Sequence, residues 1–264
     1  MGLASTGLML GQTKVKEFLR SCTGAPPSCL LLHGQAGIGK RSFAKVFATA
    51  VAKPGDIITY RVNEGEKTYR IEDLHELRKD AAFGPSIGPF KCYILEDFHR
   101  LLPVHHNFLL KTLEEVREDI IFILLADHLG TIPSTVLSRC FCLKLEPYSD
   151  LEITEALEQR GIRPDPALVG EAEGSIGAAL RYHTAPYMQC KELLLAGMEA
   201  YRNRSYSKLY LLLDRIKELF EENLSESEGL FAYLARFLNV PMAAVTGYEL
   251  GANIKNFLEY VLLS

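Results

Sequence analysis

The sequence predicts an α/β fold in which a parallel five-stranded sheet is followed by an all-helical region. Short apolar runs alternate with helix-spaced apolar patterns over about the first 145 residues, which is typical of a parallel sheet with helices on both faces. A glycine-rich turn at residues 34–40 directly follows the first apolar run and directly precedes a helical pattern. From about residue 187 onward, only helical periodicity remains.

The elements of the sheet region are predicted in chain order. Apolar runs bounded by turn residues predict strands at 28–32, 57–62, 91–95, 119–126 and 141–145. Apolar residues at helical spacing predict the helices between them, at 12–22, 43–51, 71–77 and 104–116, with a short helix opening at 132. Pro147 marks the end of this region.

The remaining chain is predicted to form two helical parts. We expect a P-loop α/β core at 1–147, a small helical lid at 148–186 and a helical collar at 187–264. Two wide apolar stripes in the collar predict faces that subunits of an oligomer share, with an ordinary monomeric bundle as the alternative. The stripes consist of Leu209, Leu212, Leu213, Ile216, Leu219 and Phe220, and of Ile254, Phe257, Leu258, Val261 and Leu262.

The glycine-rich turn has the spacing of a phosphate-binding P-loop. Its glycines allow the backbone to curl so that N–H groups point at anionic oxygens, and the following helix adds the positive end of its dipole. The candidate nucleotide-binding residues are Gly34, Gly37, Ile38, Gly39, Lys40, Arg41 and Ser42.

One position departs from the P-loop pattern, which requires a hydroxyl directly after the lysine to bind Mg²⁺. Arg41 stands there, and Ser42 comes one residue later, about 100° around the helix. The turn is therefore predicted to hold phosphate and to hold the metal poorly. The sequence leaves open whether ATP or ADP is bound and whether Mg²⁺ takes part.

Polar clusters follow three of the predicted strands, at the sheet edge where ligands bind in such folds. They are the P-loop, Glu96-Asp97 and Ala126-Asp127-His128. Glu96-Asp97 occupies the place of the acid pair that holds the Mg²⁺ shell and orients water in hydrolysing P-loop proteins, but with the order of the two acids inverted. A solvated acidic helix cap is the alternative.

The composition restricts the function further. The chain has 264 residues and a net charge of −4, so by itself it is not expected to bind DNA tightly. Its six cysteines show no C-x-x-C pairing, which predicts reduced thiols and no zinc site. No apolar run approaches the length of a membrane span and no signal peptide is visible, so we expect a cytoplasmic protein.

With these motifs in view, the chain resembles the AAA+ clamp-loader subunits of bacterial DNA polymerase III, and among them the delta-prime type. The resemblance covers nearly the whole chain. It rests on Met9-Leu10-Gly11-Gln12, on the acidic strand at 92–101 with the helix Asn107-Phe-Leu-Leu-Lys-Thr-Leu-Glu-Glu115, and on Ser138-Arg139-Cys140. The cysteine cluster that binds zinc in many of these subunits is absent.

The resemblance implies that Arg139 projects into the ATP site of a neighbouring subunit, where it acts catalytically in trans. It also implies that Gly177 stands where an arginine normally contacts the γ-phosphate. Together with Arg41 and the inverted acids Glu96 and Asp97, this predicts a subunit without ATPase activity of its own.

The predicted role is that of a stator in a clamp loader. Its expected partners are the motor and delta subunits, the sliding clamp and, through the complex, primed DNA, and no membrane is expected. The alternatives are a catalytically active, gamma- or tau-like ATPase motor subunit and a P-loop adaptor outside replication.

Overall fold

The computed structural model describes residues 11–63, 66–223, 229–230, 233–234 and 238. These residues divide into two compact units. The first holds the described residues up to Gly161 together with Glu173–Ala178, and the second holds Ile162–Ala172 together with the described residues from Ala179 onward. The three-part division stays a prediction. Met9, Leu10 and the apolar stripe at 254–262 lie outside the described residues.

The first unit is built on a five-stranded sheet in which every pairing is parallel. The strands are ordered β2-β3-β4-β1-β5 across the sheet. In chain order they are β1 (Cys29–His33), β2 (Ile57–Tyr60), β3 (Lys91–Leu95), β4 (Ile120–Ala126) and β5 (Phe141–Lys144). All five predicted strands are present, which confirms the predicted α/β class.

The helices also follow the predicted order. They are α1 (Thr13–Ser21), α2 (Lys40–Val51), α3 (Ile71–Asp80), α4 (Pro103–Glu114), α5 (Ser134–Leu137), α6 (Asp150–Glu158), α7 (Pro166–Glu171), α8 (Ile176–Tyr182), α9 (Ala185–Arg202) and α10 (Tyr206–Glu222). Short 3₁₀ turns cover Pro54–Asp56 and Phe98–Arg100. No helix among the described residues has the length and apolarity that crossing a membrane requires.

The three central strands are buried on both faces because helices cover the sheet on each side. Every residue of β3 and β4 is buried, as are the first four of β1. The side chains on one face of these strands form a core with the inner faces of α3 and α4. This core fixes the carboxyl ends of β1, β3 and β4 next to one another, which is where the predicted polar clusters lie.

The apolar stripe on α10 is largely buried. Leu209, Leu213, Ile216, Leu219 and Phe220 are buried within the chain itself. α10 packs along α9, where a Cβ on Gly197 would lie 3.6 Å from Leu209. This part of the stripe is therefore covered within the chain, and the role of the collar in oligomerisation stays a prediction.

A buried histidine on α4 gives the fold a pH-dependent stability. His106 is fully buried, and its ring meets Phe98 edge-on with 5.1 Å between the ring centroids. Burial, reinforced by neighbouring His105, lowers the pKa of His106 to about 4. The unfolded chain, with an ordinary histidine pKa of about 6.5, binds more protons between these values. The corresponding stability is fully present above about pH 6.5 and decreases as the pH falls toward 4.

We predict that His106→Leu reduces this loss of stability, by on the order of 2 kcal/mol across the window. Urea unfolding of both proteins at pH 7 and at pH 4.5 measures the difference. The exposed His75 provides the matched control, His75→Gln, which should keep the wild-type pH slope. An unchanged slope in His106→Leu would contradict the assignment.

Candidate functional site

The glycine-rich turn lies at the carboxyl end of β1, directly before α2. Gly34, Gly37 and Gly39 have φ values of +146°, +75° and +101°, a region that favours glycine. A Cβ on Gly34 would lie 2.6 Å from the carbonyl oxygen of Leu145, so a side chain is excluded there. Ile38, only 1% exposed, anchors the turn in the core.

Lys40 is held by groups of the chain itself. Its side chain is buried, and Nζ donates hydrogen bonds to the carbonyl oxygens of Gly34 at 2.5 Å and Gln35 at 2.8 Å. A third contact, of 2.7 Å, joins Nζ to Oδ1 of Asp127. These three contacts use the three donors of the ammonium group and neutralise its charge.

Asp127 reaches the P-loop through the sheet register. His33 of β1 pairs with Ala126 of β4, and the N–H of Gly34 donates to the carbonyl oxygen of Ala126 at 3.2 Å. The residue after Ala126 therefore lies beside the turn. The backbone N–H of Asp127 also donates to Nδ1 of His99 at 3.2 Å. The sequence placed Asp127 at this edge but missed its pairing with Lys40.

The side chain of Arg41 lies against the acidic residues Glu96 and Asp97. Its Nε lies 2.9 Å from Oε2 of Glu96, and its Nη2 lies 3.8 Å from Oδ2 of Asp97. Glu96 is buried, and its backbone carbonyl accepts a hydrogen bond from the hydroxyl of Tyr69. Burial, with the negative charges of Asp97 and Glu96, raises the pKa of that hydroxyl, which keeps its proton for this bond.

These residues do not fit a Mg²⁺-bound nucleotide. Metal binding needs carboxylate oxygens and a hydroxyl without a competing cation. Here the guanidinium of Arg41 lies against Glu96, the residue expected to hold the metal shell, while Ser42 is exposed on α2.

The segment 173–178 lies directly on the P-loop. The N–H of Gly177 donates to the carbonyl oxygen of Gly37 at 2.9 Å, and Oγ of Ser175 donates to that of Ala36 at 2.9 Å. Nε2 of Gln35 donates to the carbonyl oxygen of Glu173 at 2.8 Å. A Cβ on Gly177 would lie 2.8 Å from both Cα and the carbonyl oxygen of Gly37. The close approach requires glycine at position 177.

Arg139 lies at the other edge of the sheet. It precedes β5, whose residue Phe141 pairs with Leu30 near the start of β1, whereas the P-loop follows the end of β1. Because a strand rises about 3.3 Å per residue, the length of β1 puts roughly 16 Å between the two positions. Arg139 is thus remote from the P-loop of its own chain.

The guanidinium of Arg139 is partly exposed and has partners within the chain, among them Oγ of Ser138, which accepts from Nη1 at 3.3 Å. Nη2 lies 2.6 Å from Oε1 of Glu114 at the end of α4, and Nη1 donates to the carbonyl oxygen of Thr135 at 2.7 Å. Sequence reasoning missed Glu114, although it lies in the motif at 107–115 on which the resemblance rests.

Gln12, the last residue of the motif at 9–12, binds the chain beyond β5. Nε2 of Gln12 donates to the carbonyl oxygen of Glu146 at 2.5 Å, and the N–H of Glu146 donates back to Oε1 of Gln12 at 3.1 Å. Gln12 therefore binds the chain at the point where the sheet region ends.

Comparison with known proteins finds proteins that are similar to this chain. Residues 52–149 match the family described as DNA polymerase III, delta subunit. DNA polymerase III subunit gamma of Buchnera aphidicola is 32% identical over 48% of this chain and 40% of its own length. The tau/gamma subunit of Haemophilus influenzae is 31% identical over 56% of this chain and 25% of its own length. The chain is homologous to these DNA polymerase III subunits. It spans less than half the length of either relative.

Solved structures support the fold. A gamma subunit-related protein of Thermotoga maritima superposes with a TM-score of 0.58 at 15% identity, covering 94% of this chain and 97% of that one. The RuvB Holliday junction branch migration motor of the same organism superposes with a TM-score of 0.50 at 18% identity, covering 70% of this chain and 63% of that one. At these identities, the likeness shows a shared α/β fold.

The contact between positions 177 and 37 generates a prediction. Gly177→Ala should destabilise the protein by about 1–3 kcal/mol, because the methyl group meets backbone atoms that no side-chain rotation can move. Thermal unfolding followed by circular dichroism measures the change.

Gly170→Ala is the matched control, since Gly170 lies in α7 and a Cβ there meets nothing within 4 Å. Alanine is the better helix former, so the control should be neutral or stabilising by up to about 1 kcal/mol. Equal behaviour of the two variants would argue against the close approach.

Proposed function

We propose that the chain is a delta-prime-like stator subunit of a DNA polymerase III clamp loader and lends Arg139 to a neighbouring ATPase subunit. The observation that carries the proposal is the pairing of both P-loop cations with carboxylates of the same chain. Lys40 is paired with Asp127 and Arg41 with Glu96. Neither cation is available to a nucleotide unless a pair is broken.

The electrostatics of the loop oppose nucleotide binding. A phosphate approaching Lys40 would have to displace Asp127 or lie beside its negative charge. Breaking a buried ion pair costs several kcal/mol when one partner remains charged and unpaired. The segment 173–178 adds three hydrogen bonds that an entering nucleotide would have to rearrange. These features support a subunit without intrinsic ATPase activity.

The position of Arg139 supports a role in trans. It is partly exposed and lies about one strand length from its own P-loop. In a neighbouring ATP site, the charge on the transferring phosphoryl group would replace Glu114 as the partner of its guanidinium. An arginine supplied in this way is worth about 10³–10⁵ in rate.

The proposed partners and location rest on the similarity to the DNA polymerase III subunits. We propose the clamp-loader motor and delta subunits and the sliding clamp as partners, with primed DNA contacted through the complex. The chain would act in the cytoplasm as part of a hetero-oligomer, with the described helices of the second unit belonging to its lid and collar.

The second candidate is an active, gamma- or tau-like motor subunit. The identity with gamma and tau/gamma subunits favours it. The paired cations and the glycine at position 177 favour the stator.

Nucleotide binding separates the two candidates. We predict that the isolated chain shows no Mg²⁺-dependent ATP hydrolysis and no saturable binding of a fluorescent ADP analogue by polarisation. Asp127→Asn should make binding of the analogue measurable, because it removes the charge that competes for Lys40. Glu146→Gln, which removes an exposed carboxylate paired with Lys144, is the control and should change nothing. Sustained turnover by the wild-type chain would exclude the stator.

Arg139→Ala should abolish most of the ATPase activity that the chain supports in a reconstituted clamp loader, by about 10³-fold or more, without preventing assembly. Steady-state hydrolysis and size-exclusion chromatography measure the two effects. Arg117→Ala is the matched control, because Arg117 is also a partly exposed arginine in an ion pair, just before β4 at the same sheet edge. Unchanged hydrolysis in Arg139→Ala would remove the role in trans.

A further inference from the structure

Two cysteine thiols meet at the sheet edge that carries Arg139. Sγ of Cys29, the first residue of β1, lies 3.0 Å from Sγ of Cys140, directly after Arg139. Both cysteines are free thiols. A disulfide has a sulfur–sulfur bond of about 2.05 Å, so the two atoms need to approach by about 1 Å to form one.

The backbone suits a cross-link at this position. Leu30 of β1 pairs with Phe141 of β5, so Cys29 at the start of β1 and Cys140 directly before β5 each lie one residue ahead of that pair. Neighbouring strands lie about 4.8 Å apart, within the range of about 4.4–6.8 Å that disulfides span between Cα atoms. The sheet therefore brings the two side chains together before any oxidation.

The two thiols differ in reactivity. Cys29 is buried, whereas Cys140 is only partly buried and is the one that a small oxidant can reach. The hydrogen bond from Cys29 lowers the pKa of the Cys140 thiol, while the same contact and burial raise the pKa of Cys29. The thiolate is the reactive form of cysteine, so Cys140 is the thiol that reacts first with an oxidant.

We propose that Cys29 and Cys140 form a reversible redox site that responds to hydroperoxides. The Cys140 thiolate attacks a peroxide oxygen, the O–O bond breaks, and Cys140 becomes a sulfenic acid as water or an alcohol leaves. The Cys29 sulfur then attacks the Cys140 sulfur, its proton joins the departing hydroxide, and water leaves. Two thiols are oxidised by one peroxide, and a dithiol reductant reverses the reaction.

The disulfide would act on the neighbouring arginine. Sγ of Cys140 now contacts the carbonyl oxygen of Val136 at 3.2 Å as well as Cys29, and bond formation draws it toward β1. Arg139 moves with it, and misplacement by about 1 Å costs a catalytic group about 10²-fold in rate. This consequence rests on the function proposed above, whereas the redox site does not.

The redox site is tested on the full isolated chain. After hydrogen peroxide treatment and thiol blocking, peptide mass spectrometry should find one intramolecular Cys29–Cys140 disulfide that dithiothreitol removes. Cys142→Ser, which changes the exposed neighbouring cysteine, should still form it, and Cys29→Ser should not. A disulfide that instead joins Cys140 to Cys142, or oxidation of buried Cys92 and Cys190 at the same rate, would overturn the proposal.

The effect on Arg139 is tested in a reconstituted clamp loader. The oxidised wild-type chain should support about 10²-fold less ATPase activity than the reduced chain, with recovery on adding dithiothreitol. Peroxide-treated Cys29→Ser should keep full activity. If the disulfide forms without changing activity, its coupling to Arg139 is wrong. If Arg139→Ala is also without effect, the proposed stator function fails instead.

Discussion

The contact between Lys40 and Asp127 determines how the rest of the P-loop is organised. A buried ammonium group needs a partner, and in this chain a carboxylate from the next strand provides it at 2.7 Å. Arg41 is matched in the same way by Glu96 at 2.9 Å. With both charges compensated internally, the glycine turn retains its curvature without requiring a bound anion.

The segment 173–178, which lies on the glycine turn, is likewise held by contacts within the chain. Residues 173–178 approach the loop until backbone meets backbone, and Gly177 permits this. The departures at Arg41, Glu96 and Gly177 therefore lie around one loop. Arg41 follows the loop lysine and pairs with Glu96. Gly177 contacts Gly37 of the loop, and Asp127 joins the lysine to the end of β4.

The sequence predicted the fold well because hydrophobic periodicity and turn residues determine strands, helices and their order. It also placed Glu96, Asp97 and Asp127 at one sheet edge, since they follow parallel strands. It could not assign Asp127 to Lys40, because the pairing depends on the register of β1 against β4. The α10 stripe shows the same limit, since periodicity identifies a face that is buried but not the element that covers it.

Arg139 and the P-loop lie at opposite ends of the strands of one sheet. The proposed subunit would therefore present a different site to each of its two neighbours. Toward one neighbour it would present a guanidinium, and toward the other a loop whose cations are already satisfied. A protomer of this kind completes the reaction centre of one adjoining chain and contributes no centre of its own. In a series of ATP-hydrolysing protomers it therefore belongs at a terminus, where the succession of shared sites ends.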